Sequence, residues 1–238
     1  MKLHFASSLV AAGISLFTLV GYAQTPITSV PIIISSPGKY TFEQKLTLKN
    51  SGIAITVTAS DVTIDMRGFA LESGSVFNQS RAIVASGVNN LVIENGTIAS
   101  RFELGAISIT GGSGHKITNL SVENFGNEGI VLNNCAGSLI SNCEVHKPAA
   151  SRINGSPGIA LKGGDGNRVV NNSVSGMRSG FNGINGITST GTNYFENDYF
   201  NGCLVGISMS STDKYRAITT TNYQTGIVGG VDVDNMSN

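Results

Sequence analysis

A branched apolar residue directly after a small one recurs along the chain: Gly52-Ile53, Ala82-Ile83, Ala106-Ile107, Gly129-Ile130, Gly158-Ile159, Gly186-Ile187, Gly206-Ile207 and Gly226-Ile227. The steps between these isoleucines are 30, 24, 23, 29, 28, 20 and 20 residues. A second pattern, apolar-x-Asn-x-x-apolar, is locked to the first. It occurs at Ile93-Asn95-Ile98, Ile117-Asn119-Val122, Ile140-Asn142-Val145, Val169-Asn171-Val174 and Phe195-Asn197-Phe200. The Asn follows its anchor by 12 residues in the first four cases and by 10 in the fifth. A constant anchor-to-Asn distance inside an elastic period predicts a fixed coil interrupted by loops of varying length.

Between anchor and Asn there is room for a short strand, a turn and a second short strand. Ile107-Ser108-Ile109 alternates at period two, as a strand does. So short a strand cannot bury its apolar side alone. Stacked on an identical strand below, it pairs in parallel and lines a continuous core. The Asn is expected at a sharp bend, side chain inward, its amide bonded to the Asn above and below as in stacked β assemblies. The ladder then comprises Asn95, Asn119, Asn142, Asn171 and Asn197. Glycine before the anchor is read as permitting a tight turn into the strand, including positive φ.

These in-phase Gly-Ile strands and Asn-bearing bends resemble the pectate-lyase-like right-handed β-helix proteins. Residues 34–40 and 62–68 resemble the opening coils of secreted bacterial members. The resemblance implies an all-β, right-handed parallel β-helix of three-strand coils, about seven to eight of them, over residues 51–238, with residues 24–50 capping the N-terminal end. It also implies a ligand groove on the outer face of the first sheet, walled by residues 72–82, 99–106, 123–129, 146–158 and 175–186. The fold carries lyases, hydrolases, epimerases, binding proteins and adhesins, so it does not choose an activity.

Composition narrows the setting. Of 238 residues 13% are charged and the formal net charge is zero, which gives no reason to expect nucleic acid. Residues 1–23 read as an export signal: Lys2, a 12-residue apolar stretch over 9–20, then Gly21 and Ala23 before a cut at Gln24. The alternative is an uncleaved membrane anchor. The mature chain is expected to be secreted, periplasmic or on the cell surface, with no membrane span. Cys135, Cys143 and Cys203 form no C-x-x-C pair and read as small apolar fillers.

Two-residue alternation lists the outward positions of the first sheet as Ala54, Thr56, Val84, Ser108, Thr110, Val131, Asn133, Ala160, Lys162, Thr188, Ser208 and Ser210. There is one charge and no carboxylate, so the acidic stripe that calcium needs is missing. The wall loops hold Arg81, Arg101, Glu103, Glu123, Glu128, His146, Lys147, Arg152 and Arg178, with Phe77, Phe102, Phe125 and Phe181 among them. The phenylalanines can stack on sugars or on one another beneath the loops. Asp165 lies in a Gly-rich turn across the groove. Glu128, Asp165 and His146 are the acid/base set this surface offers, with Lys162, Arg152, Asn133, Thr110 and Thr188 as substrate-binding candidates. Loop charges that merely solubilise a β surface are the plainer reading. No metal and no cofactor is expected. The leading expectation is a polysaccharide or other glycan bound on the first-sheet face. The alternatives are a polysaccharide lyase or glycoside hydrolase, or an adhesive surface protein.

Overall fold

The computed structural model describes residues 23–74, 79–99, 102–147, 156–177, 185–223 and 225–234. The export signal therefore lies outside the described residues, apart from Ala23. Every described sheet pairing is parallel, and the chain winds as a right-handed parallel β-helix. The first sheet stacks nine strands: Ile32–Ile34, Gly52–Val57, Ser80–Ser86, Ile107–Thr110, Ile130–Asn133, Ile159–Lys162, Asn185–Thr190, Val205–Ser208 and Thr225–Val228. The other faces join into one sixteen-stranded sheet. They join because Val92–Ala99 and Lys116–Glu123 run unbroken through the Asn bend. Three expected sheets are thus two hydrogen-bonded ones. Residues 24–50, expected as a cap, contribute four strands to these sheets.

Identical positions stack. Ile55, Ile83, Ile107, Ile130, Ile159, Ile187 and Ile207 form one column, each in register with the next. All seven are at most 1% exposed. The first anchor is therefore Ile55 and not Ile53, which pairs with Arg81. The apolar residues flanking each Asn form two more columns. Ile93, Ile117, Ile140, Val169 and Phe195 line the second face, and Ile98, Val122, Val145, Val174 and Phe200 the third. All ten are buried. Each such side chain contributes about 1.5–3 kcal/mol by leaving water.

The glycines before the anchors serve close approach. Gly129, Gly158, Gly186, Gly206 and Gly226 do not have positive φ. A Cβ on Gly129 would lie 2.5 Å from the Gly158 carbonyl oxygen, and one on Gly186 would lie 2.5 Å from the Phe200 ring. Only Gly52, at φ 124°, fits the positive-φ expectation.

The Asn bends also depart from expectation. Asn95, Asn119, Asn142, Asn171 and Asn197 all occupy the same bend, and all sit in the left-handed region, at φ 54–60°. Their side chains point outward: the last four are exposed and Asn95 is half-buried. A left-handed residue reverses the chain direction, so two outward residues stand together before alternation resumes. Thr118 and Asn119 face out, while Ile117, Leu120 and Val122 face in. Asn is chosen because it tolerates this backbone better than other side chains. The outer amides still bond in two runs, Asp65–Asn95–Asn119 and Asn171–Asn197, at 2.7–3.3 Å.

The buried polar ladders stand elsewhere. At the second bend the inward residue is the next one, Asn172. Its Oδ1 accepts the Cys143 N–H at 2.9 Å, and its own N–H and Nδ2 donate to Asp198 Oδ1. At the first bend His115, Ser138, Asn167, Asn193 and Asp213 form a five-rung ladder of backbone N–H groups donating to side chains at 2.7–3.2 Å. It ends at neutral imidazole: Leu91 N–H donates to His115 Nδ1 and Nε2–H donates to the Gly111 carbonyl. Desolvation pushes the His115 pKa down. The three cysteines are buried, free fillers of these columns, and burial pushes the Cys143 thiol up to about 11.

Asp198 stands in the Asn172 column, 1% exposed, and its Oδ2 has no partner. Burial raises its pKa to about 8. In the preceding rung the equivalent atom, Asn172 Nδ2, donates to a backbone carbonyl, that of Ile140. A protonated Asp198 supplies the same donor. Its folded-state pKa lies above the unfolded one. Its contribution is therefore fully present below the ordinary carboxylate range and is lost as pH rises through about 8.

Two outcomes follow. Asn172→Leu strands the buried Cys143 N–H and removes the amide that donates to the Ile140 carbonyl and to Asp198. Each group left unpaired costs about 1–3 kcal/mol, and the melting temperature falls well below that of Asn142→Gly, which keeps a residue suited to positive φ. In pH-dependent unfolding, Asp198→Asn gains stability relative to the parent between pH 5 and roughly pH 9, a window set by the linkage above. A parallel pair of curves contradicts the neutral-acid reading.

Candidate functional site

On the outer face of the first sheet, alternation places Ser86, Thr110, Asn133, Lys162 and Thr190 in one row, each in register with the next. Beside it runs Thr56, Val84, Ser108, Val131, Ala160, Thr188 and Ser208. Most of the expected outward positions are present, but Ala54 and Ala160 are fully buried and Val131 is 6% exposed. Ala54 falls in the column of small residues before the anchors, where no outward side chain fits. At the centre Lys162 Nζ pairs with Glu128 Oε1. Lys162 is in register with Asn133, whereas Glu128 precedes Ile130, the first residue of that strand. The Lys162 stem must therefore run back along the row of Ala160 and Val131 to make the pair.

The proposed acid/base residues have separate partners. Glu128 bonds Lys162; Asp165 Oδ1 accepts the Thr192 N–H at 2.8 Å; and His146 Nδ1 lies 2.9 Å from Ser175 Oγ. No hydrogen bond joins any two of the three. Asp165 sits in the turn after Ile159–Lys162, and Glu128 at the opposite edge of the sheet. His146 ends Glu144–His146 on the third face, in register with Glu123 and Ser175. Of the binding candidates, Thr110 and Lys162 are exposed and Asn133 and Thr188 half-buried, all on the first-sheet face. Arg152 lies outside the described residues, as do Arg101, Arg178, Phe77 and Phe181.

Of the two readings of the loop phenylalanines, the one that puts them beneath the loops holds for Phe102 and Phe125. Phe102 and Phe125 are each 1% exposed, so they pack beneath the loops. Lys147 is also 1% exposed; its Nζ donates to the Gly126 carbonyl at 2.7 Å and lies 5.4 Å from the Phe125 ring centre. Desolvation lowers its pKa to about 8. Thr190, absent from the sequence-derived candidates, extends the polar row by one rung, its Oγ1 accepting the Gly163 N–H at 2.7 Å. Ser175 was also missed, because its relation to His146 exists only through the coil register. Among the described residues no group of three His, Cys, Asp or Glu side chains is placed to hold a metal. A cavity of about 630 Å³ lies at the N-terminal end, between residues 28–31 and 44–51.

A family model described as "Right handed beta helix region" matches residues 105–237. Among solved structures, the enzymatically active domain of tailspike protein 2 of bacteriophage CBA120 is 14% identical over 83% of this chain, with a TM-score of 0.53. A DFA-IIIase from Arthrobacter chlorophenolicus in complex with DFA-III is 15% identical over 87%, TM-score 0.48. The Dettilon tailspike protein is 11% identical over 87%, TM-score 0.46. This chain spans 38%, 59% and 52% of their respective lengths. No curated protein sequence matches it.

The Lys162–Glu128 pair is open to water, with side chains 49% and 23% exposed. A double-mutant cycle of Lys162→Ala and Glu128→Ala is expected to give a coupling of under about 1 kcal/mol. Both variants keep the parent fold by circular dichroism. A coupling several times larger would show that the pair is a structural clamp.

Proposed function

Since the chain belongs to the right-handed β-helix family, we propose that it is an exported protein that holds a polysaccharide along the outer face of its first sheet. The observation that carries this reading is the row Ser86, Thr110, Asn133, Lys162 and Thr190. It sets hydroxyl, amide and ammonium groups at a repeat of about 4.8 Å along the helix axis. A linear glycan presents hydroxyls at a regular repeat too, and such a comb of donors and acceptors engages several sugars at once. In the neighbouring row Ala160 and Val131 are covered, while Ser108 and Thr188 to either side are half-buried and add two further hydroxyls. In keeping with this reading, no helix among the described residues is long and apolar enough to cross a membrane.

Binding is favoured over cleavage by the placement of the carboxylates. Glycoside hydrolysis needs two across the scissile bond, about 5–9.5 Å apart. The rows described above carry none, and Glu128, which reaches in from the edge, is engaged by Lys162.

The test is retention of the purified protein on a panel of immobilised neutral and acidic polysaccharides. The double variant Asn133→Ala with Lys162→Ala is expected to weaken the best hit roughly tenfold, about 1.4 kcal/mol. Asn142→Gly, on the second bend, should leave it unchanged. No retention on any glycan, or equal loss from both variants, counts against the first-sheet face.

A further inference from the structure

The third face carries a row whose chemistry differs from that of the first sheet. Glu123, His146, Ser175 and Asn201 are in register on four successive coils. All four side chains point outward, because the residues before them, Val122, Val145, Val174 and Phe200, are buried. Ser175 Oγ lies 2.9 Å from His146 Nδ1, its one side-chain partner among the described residues. Glu123 stands one rung to the other side of the imidazole. Its Oε1 is fixed by the Ser121 hydroxyl at 2.8 Å, and Oε2 has no partner among the described residues. Asn201 stands one rung beyond Ser175. Its Oδ1 accepts Asn222 Nδ2 at 2.9 Å and Thr221 Oγ1 at 3.3 Å, and its Nδ2 has no acceptor among the described residues. Gly176, directly after Ser175, has φ 74°, and a Cβ there would come 2.0 Å from the Lys147 carbonyl oxygen, so the glycine serves the turn and the close approach of the coil before it.

We propose that Ser175, His146, Glu123 and Asn201 form a nucleophilic site for carboxylic esters. The roles follow from the order along the column. Nucleophile and base are within hydrogen-bond reach, an acid flanks the base, and a donor flanks the nucleophile. Ser175 Oγ bonds to the ester carbonyl carbon as its proton passes to His146 Nδ1. The carbonyl oxygen becomes an oxyanion, for which Asn201 Nδ2 is the available donor. Collapse breaks the carbon–oxygen bond to the alcohol, which leaves with the proton from His146. Water then attacks the acyl-serine, gives its proton to His146, releases the carboxylic acid and restores the Ser175 hydroxyl. Glu123 is a positioning residue, one rung from the imidazole. This site is independent of the first-sheet face.

The experiment treats the full chain with a fluorophosphonate and locates the adduct by peptide mass spectrometry. An adduct on Ser175 is expected, with at least tenfold slower labelling in His146→Gln and none in Ser175→Ala. Ser173→Ala, two residues away on the same strand and face, should label as the parent does. With p-nitrophenyl acetate, Glu123→Gln should lower kcat at unchanged KM. Absence of the Ser175 adduct from the parent protein overturns the proposal and requires no variant to fold. So does labelling that His146→Gln leaves unaltered.

Discussion

Parallel backbone hydrogen bonding holds each coil over the one before it, with like positions superposed about 4.8 Å apart. Every other property of the molecule is subordinate to that superposition. A residue must suit its own place and also the residues directly above and below it. Isoleucine over isoleucine satisfies this by packing. Glycine over glycine satisfies it because the carbonyl of the next rung occupies the space a Cβ would need. A polar residue within the column satisfies it only if its neighbour completes its hydrogen bonds.

The interior of this chain meets that last condition largely with uncharged residue types, together with Asp213, whose two oxygens accept the Asn193 and Ser210 N–H groups, and Lys147, whose Nζ donates to the Gly126 carbonyl. His115, Ser138, Asn167, Asn193 and Asn172 bond along the axis without leaving a charge in the core. Asp198 keeps to the rule by holding its proton. A buried polar network that is fully satisfied fixes a register, since a slip of one residue would break every rung together. The apolar columns give most of the stabilisation and tolerate exchanges among similar shapes. The ladders add a requirement for one alignment.

Much of the fold was legible in the sequence, because superposition makes the chain repeat itself. The anchors at Ile83 through Ile207 and the Asn residues in phase with them mark real columns. Three features misled. Ile53 follows a glycine, yet Ile55 is the stacked residue, since Gly52–Val57 begins three residues before its core position. The recurrent Asn was placed inward because amide stacking explains a repeated Asn as readily as positive φ does. Strict alternation cannot see that a left-handed residue adds an extra outward step. The true inner ladder had a trace in the doublet Asn171-Asn172, of which one member turns the chain and the other enters the core. The site was less legible. Its outward row followed from alternation, but the pairing of Lys162 with Glu128 and of His146 with Ser175 spans 34 and 29 residues. Loop length varies in between, so only the register brings those partners together.

The left-handed Asn bend also governs where the chain can accept new sequence. One residue makes the whole turn, and the following residue must already enter the core. The turn before this bend shortens by two residues in the Ile187 coil without moving the columns, but a single residue inserted at the Asn bend, between Ile117 and Leu120, would reverse the facing of the rest of that strand and turn Val122 out of the core. The third bend has no such arithmetic. Its length already varies from coil to coil while the columns on either side stay aligned. Foreign segments grafted there leave the phase of the solenoid untouched. The scaffold is thereby divided into a part whose length is frozen and a part open to diversification, and the open part borders the first-sheet face.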